Sequence, residues 1–156
     1  MALFKLAQLG TSSHNGLRGQ TQALSDRLDK GTRHVMGSLM MRTATVILVI
    51  GMIWGIEMGI RQSFAMAPAH AHFNLVGGVL LFVFGLYYKL IPAAGDTALA
   101  KWQGWLHIAG AILFPLGVAV VIGKGESFII LPIIGSLIVL TAVILFAVIV
   151  MRTSRA

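Results

Sequence analysis

FIILPIIGSLIVLTAVILFAVIVM, residues 128–151, carries no charged side chain, and an apolar run of this length suits a helix crossing the ~30 Å hydrocarbon core of a bilayer. Lipid offers no hydrogen bonds to the backbone, so a segment of this kind must satisfy its N–H and C=O groups internally, as an α-helix does. Working outward, three further stretches have the same character, 43–60, 69–92 and 102–122, and the connections between them are too short for extra domains. The composition agrees: 57% of residues are hydrophobic, 11% are charged and the mean hydropathy is +0.88, more apolar surface than a soluble domain of 156 residues can hide. The expected fold is all-α, an integral membrane four-helix bundle over 43–152, preceded by a basic tail over 1–42.

Charge supplies an orientation. The formal net charge is +7, but Lys and Arg flank the apolar stretches instead of forming one soluble basic face, which argues for a lipid bilayer and against a nucleic-acid partner. Lys5, Arg18, Arg27, Lys30, Arg33, Arg42, Lys89, Lys101, Arg152 and Arg155 fall on one side, and only Arg61 and Lys124 on the other. The positive-inside rule then predicts both termini in the cytoplasm, with a bacterial inner membrane as the expected location. Tyr87, Tyr88, Trp102 and Trp105 would lie at the inner interface, where amphipathic rings are favoured. The tail lacks the apolar core of a cleaved signal peptide and reads as retained; within it, 21–30 (TQALSDRLDK) forms either a short surface helix or solvated chain. The chain has no Cys, so disulfides, thiolate zinc sites, iron–sulfur clusters and covalent haem attachment through C-x-x-C-H are excluded. Any metal must be held by His, carboxylate or Met.

Few polar residues enter the apolar stretches, and each is a candidate. Gly51, Gly55 and Gly59 form a small-residue stripe in the first span, primarily a helix-packing signal. Another face carries Trp54, Glu57 and Arg61, where acid and base one turn apart either pair with each other or serve a bound ligand. The second span opens with APAHAHFN, residues 67–74, in which Pro68 suits a first helical turn. Two residues apart on an α-helix is about 200° of rotation, so the imidazoles of His70 and His72 point to opposite sides and cannot both ligate one iron. Each would serve a different site, completed by another helix or another chain. His70 continues through Asn74, Gly77, Leu81, Gly85 and Tyr88, a face that offers either helix contact or a slot for a flat macrocycle; His72 continues through Val76, Val79, Val83 and Leu86, an aliphatic face. In the third span His107 lies far in depth from this pair, either functional or bonded to backbone freed by the kink-forming Pro115. The fourth span, with Pro132, Ser136 and Thr141, offers no evident chemistry.

AHAHFNLVGGVLLFVFGLYYKLIP (69–92) followed by LAKWQGWLHIAGAILFPLG (99–117) resembles helices ten and eleven of heme-copper oxidase subunit I. The likeness covers about a third of the chain, in order, spacing and inferred orientation, while the first and fourth spans fit by position as helices nine and twelve. The resemblance implies that His70 binds a high-spin and His72 a low-spin haem iron, on opposite sides of one helix. That family's subunit has twelve helices in three similar four-helix arcs, and this chain supplies one arc, without the copper-binding His triad or its companion tyrosine. Enzymatic oxygen reduction by the chain is therefore not expected. Three copies could instead rebuild the ring, because a protomer with two different His faces makes heterologous contacts that close by rotation. The leading expectation is a haem-b-binding homotrimer for electron transfer, with a respiratory-chain redox partner, or for redox or gas sensing. Its site comprises His70 and His72 as iron ligands, Asn74 as support, Arg61 as propionate partner and Gly77 beside the cofactor. The alternatives are a copper or other metal-ion site of His70, His72 and Glu57, and a structural accessory subunit packed by its glycine stripe.

Overall fold

In the computed structural model the described residues are 20–21 and 35–154; apart from helical Gln20 and Thr21, the tail through residue 34 lies outside them, including most of the 21–30 stretch. The remainder forms the compact unit His34–Ala156, in which every regular element is helical. Four stretches are long and apolar enough to cross a membrane, Val35–Arg61, Ala67–Leu90, Ala98–Lys124 and Glu126–Thr153, hereafter the first to fourth spans. The first span begins at Val35, inside the stretch read as tail, because Val35, Met36, Leu39 and Met40 continue the apolar pattern inward from residue 43.

Local chemistry sets the helix ends. Thr97 caps the third span, its Oγ1 accepting from the Ala100 N–H at 3.1 Å, and Gly125 closes that span at φ 99°, a conformation that disfavours a Cβ. Pro92 ends the second span and opens a short helix, Pro92–Gly95, that turns the chain into the third. Hydroxyls facing outward are satisfied within their own helices: Thr45 donates to the Met41 carbonyl, Ser136 to Ile133 and Thr141 to Leu137. This leaves no polar hydrogen from those side chains for lipid to solvate.

The second span departs from the regular helix expected. It consists of an α-helix, Ala67–His72, a π-helical segment, Phe73–Leu80, and a second α-helix, Leu81–Leu90. The wider i→i+5 turns of the middle segment mean that faces drawn at 100° per residue do not run unbroken past Asn74. The burial pattern still separates two sides: Gly77, Leu81, Gly85 and Tyr88 are buried, whereas Val79, Val83 and Leu86 are exposed.

Without a strong hydrophobic drive between helices in lipid, close approach through small residues does the holding. Gly37 and Gly85 meet backbone to backbone; a Cβ built on either would lie 2.8 Å from the carbonyl oxygen of the other. Between the third and fourth spans, a Cβ on Gly117 would lie 2.6 Å from the Pro132 nitrogen, and one on Gly135 2.6 Å from the Phe114 Cα. The core gathers Met36, Met40, Ala44, Ile47, Leu81, Phe84 and Tyr88 with Ala100, Ile108 and Ile149. Phe84 stacks on Phe146 at 3.7 Å, and Tyr87 and Tyr88 approach the same ring edge-on. Trp102 and Trp105 face outward, as expected of interfacial anchors.

Candidate functional site

The N-terminal end of the second span presents its two histidines to different neighbours. His70 turns toward the first span: its ring lies 5.8 Å from that of Trp54, edge-on, and its Cε1 sits 3.0 Å from where a Cβ of Gly55 would be. His72 turns toward the third span and meets Phe114 edge-on at 4.5 Å. Both imidazoles are half-buried, and their divergence is that of two side chains two positions apart on the α-helical turn before the π segment begins.

Each ring has a local partner. His72 Nδ1–H donates to the Pro68 carbonyl at 2.7 Å. That bond selects the tautomer and leaves the Nε2 lone pair free, the arrangement by which histidine ligates metals while its other nitrogen is held. Asn74 sits one turn below His70, its Nδ2 donating to the His70 carbonyl at 3.0 Å and lying 3.2 Å from His70 Nδ1. Gly51 makes room for that amide, since a Cβ there would overlap Asn74. The glycine stripe of the first span thus receives side chains of the second: Gly51 takes Asn74 and Gly55 takes His70, while a Cβ at Gly59 would meet nothing within 4 Å.

Glu57 and Arg61 find each other. Arg61 Nε lies 2.5 Å from Glu57 Oε1, and both side chains of the pair are exposed. Among the described residues no three His, Cys, Asp or Glu side chains converge in a way that could hold a metal ion, so Glu57, His70 and His72 are not brought together as a ligand set. Gly77 is buried against Ile47 and the Ala111 carbonyl; Pro115, four residues on from Ala111, cannot donate to that carbonyl, and helix contact fills the face there.

His107 stands apart from this site. It is fully buried, and its Nε2–H donates at 3.1 Å to the Val76 carbonyl, within the π segment and not in backbone freed by Pro115. The Phe84 ring packs edge-on at 5.0 Å. Sequence reasoning missed Gln103, fully buried one turn before His107, whose Oε1 accepts the Tyr88 hydroxyl at 2.8 Å. A polar residue four positions before an intramembrane histidine was the available signal, because such pairs share a helix face.

The chemistry of the His70 and His72 side chains fits an imidazole-ligated iron. His72 offers Nε2 as it stands, and the Asn74 amide, which donates to the His70 carbonyl, lies beside Nδ1 of the His70 ring. No family model, curated protein or solved structure matches the chain, so this geometry and the residues that build it are the ground for a functional reading.

Proposed function

We propose that the chain is a haem-b-binding protein of the bacterial inner membrane, with cytoplasmic termini, in which neighbouring protomers share each haem between His70 of one and His72 of the next. The observation that carries this reading is the divergence of the two rings onto different helices, combined with a held Nδ1–H and a free Nε2 on His72. Each protomer then contributes two iron ligands to two different sites, and three copies close a ring in which no ligand is left over. The resemblance to one arc of heme-copper oxidase subunit I points the same way.

When bound, haem b supplies a one-electron iron couple, suited to electron transfer with a respiratory-chain partner or to redox or gas sensing. The residues of this chain orient and hold it. The Pro68 carbonyl aims the His72 ring, and Asn74 fixes the plane of the His70 ring. Arg61, tied to Glu57 through Nε, is the partner for a propionate on the same side of the membrane. Turnover of oxygen is not part of this proposal, since the sequence has no copper-binding His triad. Coordination of copper by His70, His72 and Glu57 is the weaker reading, because Glu57 is engaged by Arg61 and the three do not converge.

An absorption spectrum of the detergent-purified protein, oxidised and reduced, tests the proposal. A Soret band with low-spin features, lost in both His70→Ala and His72→Ala, is the expected result. Mixing the two single variants should recover part of that spectrum, since mixed rings contain some interfaces with both ligands intact. A colourless protein, a spectrum unchanged in either variant, or a monodisperse monomer that retains bis-His haem would overturn it.

A further inference from the structure

Among the described residues two buried side-chain polar atoms lack partners, and they are complementary. Gln103 and His107 are both 0% exposed, four residues apart on the third span and therefore on one face of it. Gln103 spends its Oε1 on the Tyr88 hydroxyl, which leaves the amide hydrogens on Nε2 unbonded. His107 spends Nε2–H on the Val76 carbonyl, so its Nδ1 is an acceptor, and this too is unbonded. One surplus donor thus lies one helical turn from one surplus acceptor.

A buried polar group left unmade costs about 1–3 kcal/mol, and lipid around the bundle offers no hydrogen bonds to either atom. A direct amide-to-imidazole bond would satisfy both, yet the two side chains do not form one. Residues at i and i+4 have Cβ atoms roughly 5–6 Å apart. The two side chains therefore leave one face of the third span side by side, and a water between them would need only the two partners that are in surplus. Buried waters in proteins take this kind of position, between groups that have no other partner.

We propose that Gln103 and His107 hold an internal water molecule, which accepts from Gln103 Nε2–H and donates to His107 Nδ1. The bridge completes a continuous polar ladder through the bundle, from the Tyr88 hydroxyl to Gln103, the water, His107 and the Val76 carbonyl. It joins a tyrosine near the Lys89 end of the second span to the π segment that follows His70 and His72. Neither histidine of the outer pair takes part, so the ladder stands whether or not haem is bound.

Magic-angle-spinning NMR of the full chain in lipid bilayers, with 15N-labelled histidine, tests this directly. The His107 ring is assigned by sequential backbone correlations to Leu106 and Ile108 in uniformly 13C,15N-labelled protein. The expected result is an Nε2-protonated ring whose Nδ1 has the shift of a hydrogen-bonded acceptor and shows magnetisation transfer from water. In Gln103→Leu the transfer should disappear and Nδ1 should move to the shift of a free acceptor. No water transfer to His107 in the unaltered protein would overturn the proposal, and this reading needs no variant to fold. Persistence of the transfer in Gln103→Leu, or a direct coupling between Gln103 Nε2 and His107 Nδ1, would overturn it as well.

Discussion

His72 and His107 spend their rings in opposite ways. His72 gives one nitrogen to a carbonyl four residues back on its own helix, which orients the ring without tying it to the rest of the fold. His107 gives one nitrogen to a carbonyl of another span, 31 residues away in sequence, and lies wholly inside the bundle. A locally held, half-buried imidazole keeps a lone pair for something outside the helix, whereas a cross-bridging one holds helices in register. On the proposed reading the same residue type serves as ligand at the N-terminal end of the second span and as structure where the third span bonds to its middle.

The largest expected effect is spectroscopic. His70→Ala and His72→Ala should each abolish the low-spin haem spectrum, while His107→Phe should keep it; loss in the His107 variant with retention in the outer two would invert the comparison. Stability should respond the other way. Unfolding of the haem-free protein in mixed micelles should show His107→Ala destabilised by about 1–3 kcal/mol, because the Val76 carbonyl loses its partner inside the bundle. His72→Ala removes a local bond and should cost less than about 1 kcal/mol; equal losses for the two would mean that His72 also carries the fold.

Two glycines sharpen the contrast between the packed interior and the end of the bundle that carries His70 and His72. Gly135→Ala drives a methyl into the Phe114 backbone and should cost about 1–3 kcal/mol by the same unfolding measurement. Gly59→Ala meets nothing within 4 Å and should be neutral or stabilising by up to about 1 kcal/mol through helix propensity alone. A large penalty at Gly59 would reveal a neighbour at that end which a single chain does not provide. The smallest effect is expected at Arg61. Its pair with Glu57 has side chains 72% and 45% exposed, so Arg61→Gln should change stability by under about 1 kcal/mol. A shift in haem midpoint potential or a faster loss of haem is the readout that distinguishes a propionate partner from a surface ion pair.

The four spans were legible because length and hydropathy act locally, and Thr43 or Ile60 can be judged from their neighbours alone. The angle between His70 and His72 was legible for the same reason, since it depends on a single turn. Beyond Asn74 the reading weakened. Nothing in FNLVGGVL announces i→i+5 bonding, so the π segment has no signature in the residue pattern. The glycine-bearing face of the second span was open between a helix contact and a macrocycle slot; Gly77 against Ile47, and Gly85 against Gly37, place helices there. Gln103 escaped notice because its partner Tyr88 lies on another span, and pairings between helices leave no mark in local spacing.

The π segment has one more consequence, for what insertions and deletions in this chain would do. A helix that is α-wound at both ends and π-wound between them has a built-in point of angular slack. Removing one residue from 73–80 lets the wider turns tighten toward α geometry, so that part of the roughly 100° rotation a deletion imposes on a regular helix is taken up within the segment. The Leu81–Leu90 half is keyed to the core through Phe84, Gly85 and Tyr88, and the rotation would therefore fall on the outer turn that carries His70 and His72. The bearing of the two imidazoles is in that sense a dial, adjustable by the length of the π segment without recutting the helix interfaces below it.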